Sequence, residues 1–353
     1  MRNGFRSLRV GILIIVLTFA AEIVCAQDKS RVNVKIITDE SDAVLAILAK
    51  RKANQSVADA DWDRLFSTEG YVRLKKREQA MNRPFEEADF KSFVLSDDLL
   101  AKADSLNATL KAWKSTDVNR VAQRPLEYLP RHARINAKIY PVIKPRENSF
   151  VFDVNTDPAI FLYLDPNVNK QKFENTLAHE LHHIGYGTAC PNSQTTEQIK
   201  QRPENVQRVI RLVGAFGEGF AMLAAAGGPN IHPHAVSDEK DRERWDRDVA
   251  NFDDDLKKVE KFFLDMLGNS LSDDEINKTV SSFFGVQGPW YTVGWKMCVM
   301  IEKAFGRRAL IDAMCDQRKL LPLYNRAAGM LNKRSREKMA TWSPELVTAI
   351  EGN

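Results

Sequence analysis

Residues 177–183 read Leu-Ala-His-Glu-Leu-His-His, and the rest of the chain is best understood from this stretch. It holds the pattern His-Glu-x-x-His, with His179 and His183 four residues apart. On an α-helix these positions lie on one face, so the two imidazoles can bind one metal ion. Glu180 points about 100° around the helix from His179, where a carboxylate can act as a base without ligating the ion. We therefore predict a helix over 171–186 that carries two metal ligands and a general base.

A third ligand has to come from elsewhere in the chain. A catalytic zinc ion takes three protein ligands and keeps one position open. A histidine six residues after His183 would complete one known pattern, but that position holds Ala189. Glu218 is the only acidic residue between Glu204 and Ser237, in an otherwise apolar stretch where an unpaired buried carboxylate is costly. We predict Glu218 as the third ligand and Zn²⁺ as the cofactor; the alternative is an exposed glutamate on a broken helix.

Three glycines surround the predicted third ligand: Gly214, Gly217 and Gly219. Each costs about 1 kcal/mol relative to alanine in a helix interior. Such a cluster indicates that another backbone comes very close. We predict that a helix over 203–226 packs tightly against the motif helix and ends at Gly227.

His-Glu-x-x-His followed by a glutamate ligand on a later helix resembles the gluzincin metallopeptidases. The string Glu218-Gly-Phe-Ala221 is similar to one found in uncharacterised bacterial families described as zinc-dependent peptidases. The resemblance extends from the helices around Trp62 and Tyr71 to those near Tyr291 and Tyr324. It implies His179, His183 and Glu218 as ligands and Glu180 as the base. It also implies that an edge strand before the motif helix, here 159–164, binds the substrate backbone.

The chain departs from that pattern in two ways. The interval from His183 to Glu218 is longer than in thermolysin-like enzymes. Met222 stands four residues after Glu218, where those enzymes place an acidic residue next to the ligands. Both departures leave the predicted zinc site intact but weaken any inference about the substrate.

Catalysis of this kind also needs a donor that stabilises the oxyanion. Tyr291 opens a predicted helix and could direct its hydroxyl into a cleft, or it could simply pack beside Trp290 and Trp295. His232 and His234 follow the preceding helix closely and could line the site or bind a second ion, although a surface loop is the alternative. We take Tyr291 as the first candidate for the donor.

The remaining patterns predict an α+β fold, mostly α, in which a small sheet precedes the motif helix. The resemblance implies that this plan is zincin-like. The predicted regions are a signal peptide (1–26), a helical N-terminal region (27–129) and a zincin-like catalytic region (130–353), the last divided into a small sheet (130–165), active-site helices (171–226) and C-terminal helices (237–350). The individual predicted elements are helices over 43–52, 59–81 and 85–114, strands over 134–143, 149–154 and 159–164, and a long charged helix over 237–267. Pro84 opens the helix over 85–114, for which a break near Ser96 is the alternative.

The first 26 residues resemble a secretory signal peptide. Arginines 2, 6 and 9 precede an apolar run from Val10 to about Ala21, and Val24 and Ala26 are small residues at the −3 and −1 positions. We predict cleavage after Ala26 and a secreted or periplasmic protein. An uncleaved membrane anchor and a lipoprotein formed through Cys25 are the alternatives.

Composition narrows the class of protein. A content of 44% hydrophobic and 28% charged residues excludes a largely disordered chain. Cleavage would remove three arginines and Glu22 and lower the net charge from +4 to +2, which gives no reason to expect a nucleic acid or an anionic membrane as partner. Cys190, Cys298 and Cys315 would remain, which permits one disulfide, and Cys298 lies in an apolar helical run typical of a buried free thiol.

Together these patterns predict an exported zinc metallopeptidase that cleaves peptide or protein substrates with a zinc-activated water, Glu180 being the general base. They predict no stable membrane span after signal cleavage and nothing about oligomeric state. One alternative is a non-catalytic module in which His232 or His234 supplies a fourth zinc ligand. Another is a metal-dependent hydrolase of non-peptide amides or esters.

Overall fold

The structure is a computed structural model that describes residues 31–352 apart from 84, 191–192, 286–287, 335 and 337. The predicted signal peptide and its cleavage site lie outside the described residues. So does Pro84, which was expected to open a helix.

A four-stranded sheet lies at the centre of the N-terminal half. Its strands are β1 (Val32–Ile36), β2 (Ile135–Val142), β3 (Phe150–Phe152) and β4 (Ala159–Tyr163). Their order is β1-β2-β4-β3; the first three run parallel, and β3 pairs antiparallel with β4. The three later strands agree with the predicted ones.

Two expectations about the sheet are wrong. The prediction that 27–129 is helical fails at β1, whose sequence Val-Asn-Val-Lys-Ile alternates in the manner of a strand. Its partner β2 begins about a hundred residues later, so no local signal shows the pairing. The segment 159–164 was expected to be an edge strand, but β4 is paired on both sides, and β1 and β3 are the edges.

Helices make up most of the rest of the described chain. Those between β1 and β2 are α1 (Asp39–Lys52), α2 (Asp59–Phe66), α3 (Glu69–Ala80), α4 (Glu87–Val94), α5 (Asp97–Ala101), α6 (Ala103–Lys114) and α7 (Val118–Leu126). The predicted long helices over 59–81 and 85–114 are therefore divided. Thr68 and Ser96 each accept a hydrogen bond from a backbone N–H of the next helix and so begin a new helix at that point.

The helices after β4 carry the predicted site. They are α8 (Lys170–Ala189), α9 (Ser193–Lys200), α10 (Glu204–Val213), α11 (Gly217–Ala226), α12 (Glu239–Ala250), α13 (Phe252–Leu267), α14 (Asp273–Phe283), α15 (Pro289–Phe305), α16 (Arg307–Cys315), α17 (Leu320–Asn332) and α18 (Pro344–Glu351). The expected helix over 203–226 is interrupted by a 3-10 turn at Gly214–Phe216, and the one over 237–267 is interrupted at Asn251. Gly227 ends α11 in the left-handed conformation, as predicted.

The sheet separates two apolar layers. Alternate residues of β2 and β4, such as Ile139 and Ile160, join a core that includes Leu177 and Leu181 of α8. The other face, with Phe161, is covered by Leu74 of α3. A further core forms where α10, α11, α13 and α15 pack together.

The cysteine expectations are confirmed. Cys190, directly after α8, forms a disulfide with Cys315 at the end of α16, and Cys298 is a buried free thiol. The bond links the end of α8 to the end of α16 and closes a loop that includes α11 and α15.

One stretch of the described chain, Glu204–Ala226, is long and apolar enough to cross a membrane, but 61% of its apolar window is buried inside the protein. It includes α11, which packs between α8 and α15. Burial to this extent is typical of a helix in the core of a protein.

Candidate metal centre and its cleft

Helix α8 is positioned by its N-terminal cap and by its apolar face. Asn169 caps it by accepting a hydrogen bond from the backbone N–H of Lys172. Leu177 and Leu181 are fully buried in the core that includes the sheet. With that face fixed, His179 and His183 lie on the side of the helix that faces α11.

The structure brings the three predicted ligands together. Nε2 of His179 lies 3.2 Å from Oε2 of Glu218, and Nε2 of His183 lies 3.3 Å from the same oxygen. The two imidazole nitrogens are 3.0 Å apart. Among the described residues, these three form the one set of three or more His, Cys, Asp or Glu side chains whose possible ligand atoms all lie within 4.8 Å of one another.

The charges of the cluster favour an ionised carboxylate. Burial by itself would raise the pKa of the Glu218 carboxyl, but hydrogen bonds with His179 and His183 hold that pKa well below its ordinary value. Burial would lower the pKa of His183, yet Glu218 and, more weakly, Glu180 raise it. A region that attracts positive charge in this way is suited to a cation.

Helix α11 is held in place partly by a close backbone crossing. A Cβ atom at Gly219 would lie 2.0 Å from the backbone nitrogen of Trp295, and one at Gly294 would lie 2.7 Å from the carbonyl oxygen of Phe216. Gly219 and Gly294 therefore allow the backbones of α11 and α15 to approach each other closely. The prediction that the glycines allow close contact with the motif helix is wrong. An added Cβ at Gly217 would meet nothing within 4 Å.

This crossing carries Tyr291 into the site. The carbonyl oxygen of Tyr291 is among the atoms nearest to Gly219, next to Glu218. The tyrosine ring lies nearly parallel to that of His179, with 6.4 Å between the centroids. Burial raises the pKa of Tyr291, and the charges of Glu218 and Glu180 raise it further, so its hydroxyl is a proton donor at neutral pH.

A cleft of about 310 Å³ opens beside the cluster. The residues that line it come from four parts of the chain: Lys172, Asn175, Thr176 and His179 of α8, Met222 of α11, His234 and Ser237 of the following loop, and Phe284 and Tyr291 near the start of α15. Sequence reasoning missed Asn175 and Thr176, although they precede His179 by four and three residues and so share its helical face. Ser237 and Phe284 lie in loops, and no sequence pattern indicates them.

The two loop histidines differ in position. His234 lines the cleft, with Nδ1 3.1 Å from the hydroxyl of Ser237, and burial lowers its pKa to about 4. His232 pairs with Asp246 at 3.1 Å. Neither belongs to the cluster of His179, His183 and Glu218 within the part of the chain that the structure describes.

His182, the histidine directly before His183, does not reach solvent. The side chain is 1% exposed and packs edge-on against Phe220 of α11 with 4.6 Å between ring centroids. Burial lowers its pKa well below the ordinary value for histidine. The sequence spacing places His182 next to the metal-binding face of α8. Its side chain is buried because α11 packs over it.

The far side of the His179 ring is unusual. Its Nδ1 is buried and has no hydrogen-bond partner among the described residues. Metal-binding histidines ordinarily donate this second N–H to a carboxylate or carbonyl. Met222 lines the same cleft and offers no such acceptor.

Residues 62–333, well over half of the chain, match the protein family described as "Putative zinc dependent peptidase (DUF5700)". The chain belongs to this family. The match includes the predicted extent of the resemblance, from Trp62 to Tyr324, and the whole metal cluster and cleft. Membership of a zinc-dependent peptidase family, expected from the sequence, is thereby confirmed at that level. No curated protein and no solved structure matches the chain.

Proposed function

We propose that this family member is an exported zinc metallopeptidase of the gluzincin type, with a zincin-like fold. The observation that carries the proposal is the convergence of His179, His183 and Glu218 beside a cleft that also receives Tyr291. Glu180 follows His179 on the same helix, and its charge acts on both His183 and Tyr291.

The donor set fits zinc. Two imidazole nitrogens and one carboxylate oxygen are borderline ligands that zinc accepts in catalytic sites. The Glu218 carboxyl is held in the ionised form that a ligand needs. Because the described cluster has three members and not four, it favours a catalytic over a purely structural site.

When bound, zinc would supply a Lewis acid that polarises a carbonyl and makes a water more acidic. Glu180 would accept the proton from the attacking water and deliver it to the leaving amine. Tyr291 would donate its hydroxyl proton in a hydrogen bond to the oxyanion that develops on the substrate. His234, neutral at pH 7 and in the same cleft, is the second candidate for that donor.

Export is supported by the predicted signal peptide and by the Cys190–Cys315 disulfide, since such bonds persist in oxidising compartments. We propose cleavage after Ala26 and a secreted or periplasmic protein that acts on peptides or proteins, with neither nucleic acid nor a membrane span as part of its function. Mass spectrometry of the exported protein should find a chain that begins at Gln27. A chain that retains residue 1 outside the cytoplasm would contradict the cleavage.

The activity is tested with the mature protein and its Glu180→Gln variant. Both should bind one zinc ion per chain, whereas the variant should lose about 10²–10⁴-fold of the rate of peptide hydrolysis because only the base is removed. Lys303→Gln, remote from the cleft residues, serves as a control. Full hydrolysis by zinc-loaded Glu180→Gln would sink the proposed mechanism. Hydrolysis of esters or non-peptide amides without peptide cleavage would replace the substrate class.

A further inference from the structure

A second cavity, of about 240 Å³, lies on the side of the sheet away from α8. We call it the cationic pocket, and the residues that line it are Leu74, Glu78, Arg83, Phe85, Lys144, Pro145 and Arg146. Leu74 belongs to the apolar cluster of Phe161 and its neighbours, on the opposite sheet face from the core shared with α8. The sheet therefore separates this pocket from the metal cluster.

Positive charge exceeds negative charge around the pocket. Glu78 accepts a 2.6 Å hydrogen bond from Nη1 of Arg77 and lies 3.7 Å from Nη1 of Arg83. Lys144 is 3% exposed, and within the described residues its ammonium donates to two neutral oxygens, the carbonyl of Arg146 and the side chain of Asn148. Among the residues that line the pocket, Glu78 is thus the one carboxylate, against the cations Arg83, Lys144 and Arg146.

The other nearby carboxyl does not restore the balance. Glu40 is fully buried, and that burial raises its pKa well above the ordinary value, which disfavours its charged form. Burial likewise lowers the pKa of Lys144 to about 8, which still leaves its ammonium mostly charged at neutral pH. An additional anion would offset this excess of positive charge.

One donor in the pocket also lacks an acceptor. Nη1 of Arg83 is buried and makes no hydrogen bond to any residue that the structure describes. The Arg83 side chain as a whole is 32% exposed, but leaving this buried donor atom without an acceptor is unfavourable, and a ligand in the pocket would supply one. A carboxylate is the group that matches a guanidinium most directly, because its two oxygens can accept parallel hydrogen bonds.

The rest of the pocket wall is apolar, with Leu74, Phe85 and Pro145 contributing carbon surface. We propose that the cationic pocket binds a small carboxylate that carries an apolar group, with the carboxylate at Arg83 and Lys144 and the apolar group against Leu74 and Phe85. The volume suits a small organic acid or the last residue of a peptide with a free carboxyl end. Both sources share the same chemistry, and binding of either is independent of the proposed peptidase activity.

Isothermal titration calorimetry with 3-phenylpropionate and its neutral amide tests the proposal on the zinc-loaded protein. The acid should bind at least tenfold more tightly than the amide. Inorganic phosphate, an anion without an apolar group, should bind more weakly than the acid. Equal affinity for acid and amide, or tighter binding of phosphate, would overturn the proposal.

A matched pair of variants locates the site. Arg83→Gln should reduce the affinity for the acid at least tenfold, to the level of the amide. Arg308→Gln removes the same charge from an exposed position and should leave the affinity unchanged. Thermal unfolding of both variants verifies that they are folded, and unchanged binding by folded Arg83→Gln would refute the assignment.

The metal centre could itself attract a carboxylate, so the titration is repeated after removal of zinc with EDTA. Binding that persists supports the cationic pocket, whereas binding that disappears would assign it to the metal cluster. A parallel titration of the zinc-free protein with N-acetyl-leucyl-phenylalanine distinguishes the sources. Tighter binding than 3-phenylpropionate supports a peptide carboxyl end as the ligand, and weaker binding supports a free organic acid.

Discussion

Replacing Met222 with glutamate should increase the affinity of the site for zinc. Nδ1 of His179 is buried without a hydrogen-bond partner in the described structure, and Met222 lines the cleft beside it. The Arg124 guanidinium donates to both Ala225, near the end of α11, and Asn175, near the start of α8, so the two helices run antiparallel. A side chain one turn after Glu218 is therefore directed toward the turn of α8 that holds His179.

The size of the gain follows from the hydrogen bond that becomes possible. A carboxylate that accepts the second N–H of a metal-bound histidine fixes the ring and its tautomer, and loss of such a partner typically weakens metal binding 10–100-fold. Adding one should tighten zinc binding by a similar factor, equivalent to about 1.4–2.7 kcal/mol. The dissociation constant is measured by competition with a chromophoric chelator.

Two further substitutions at the same position separate the possible causes. Met222→Leu provides no acceptor and should leave zinc affinity unchanged. Met222→Gln provides a neutral acceptor that ligates zinc poorly, so it should tighten binding by a smaller factor. A gain with glutamate and none with glutamine would mean that the new carboxylate ligates the ion directly, and no gain with either would refute the reasoning.

Other predictions concern the groups around the cluster. Tyr291→Phe should lower kcat for peptide hydrolysis by about 10²-fold without changing zinc content, since one oxyanion donor is lost; an unchanged kcat would remove Tyr291 from the mechanism. Gly219→Ala should destabilise the protein by about 3 kcal/mol in urea unfolding, because its Cβ would collide with the backbone of α15. Gly217→Ala, with open space around it, should be neutral or stabilising by up to about 1 kcal/mol, and equal losses for both would contradict the crossing. Reduction of the Cys190–Cys315 bond should lower the free energy of unfolding by up to about 5 kcal/mol, since 125 residues separate the cysteines; an unchanged urea midpoint would exclude this contribution.

The candidate site was largely predictable because its decisive features are local. The spacing of His179 and His183 needs only helical periodicity to place two imidazoles on one face. Glu218 stands out because a lone acidic residue in an apolar helix requires a partner. Asn175 lies four residues before His179, so the same periodicity places it on that face of the helix.

The expectations that failed depended on contacts between distant segments. Strand β1 pairs with a strand about a hundred residues away, and β4 became an interior strand only because β3 covers its free edge. Gly219 does allow another backbone to come close, but the sequence does not show that this backbone belongs to α15. The burial of His182 likewise depends on Phe220 from another helix.

Short-range chemistry thus establishes which side chains can serve as ligands and base, since a few consecutive residues on one helix fix their mutual geometry. Long-range packing settles whether they meet a carboxylate, which donor faces them and which neighbours bury them. Those outcomes depend on the free energy of assembling the whole core, in which sheet pairing and helix crossings are chosen together, and no single stretch of the chain contains that information.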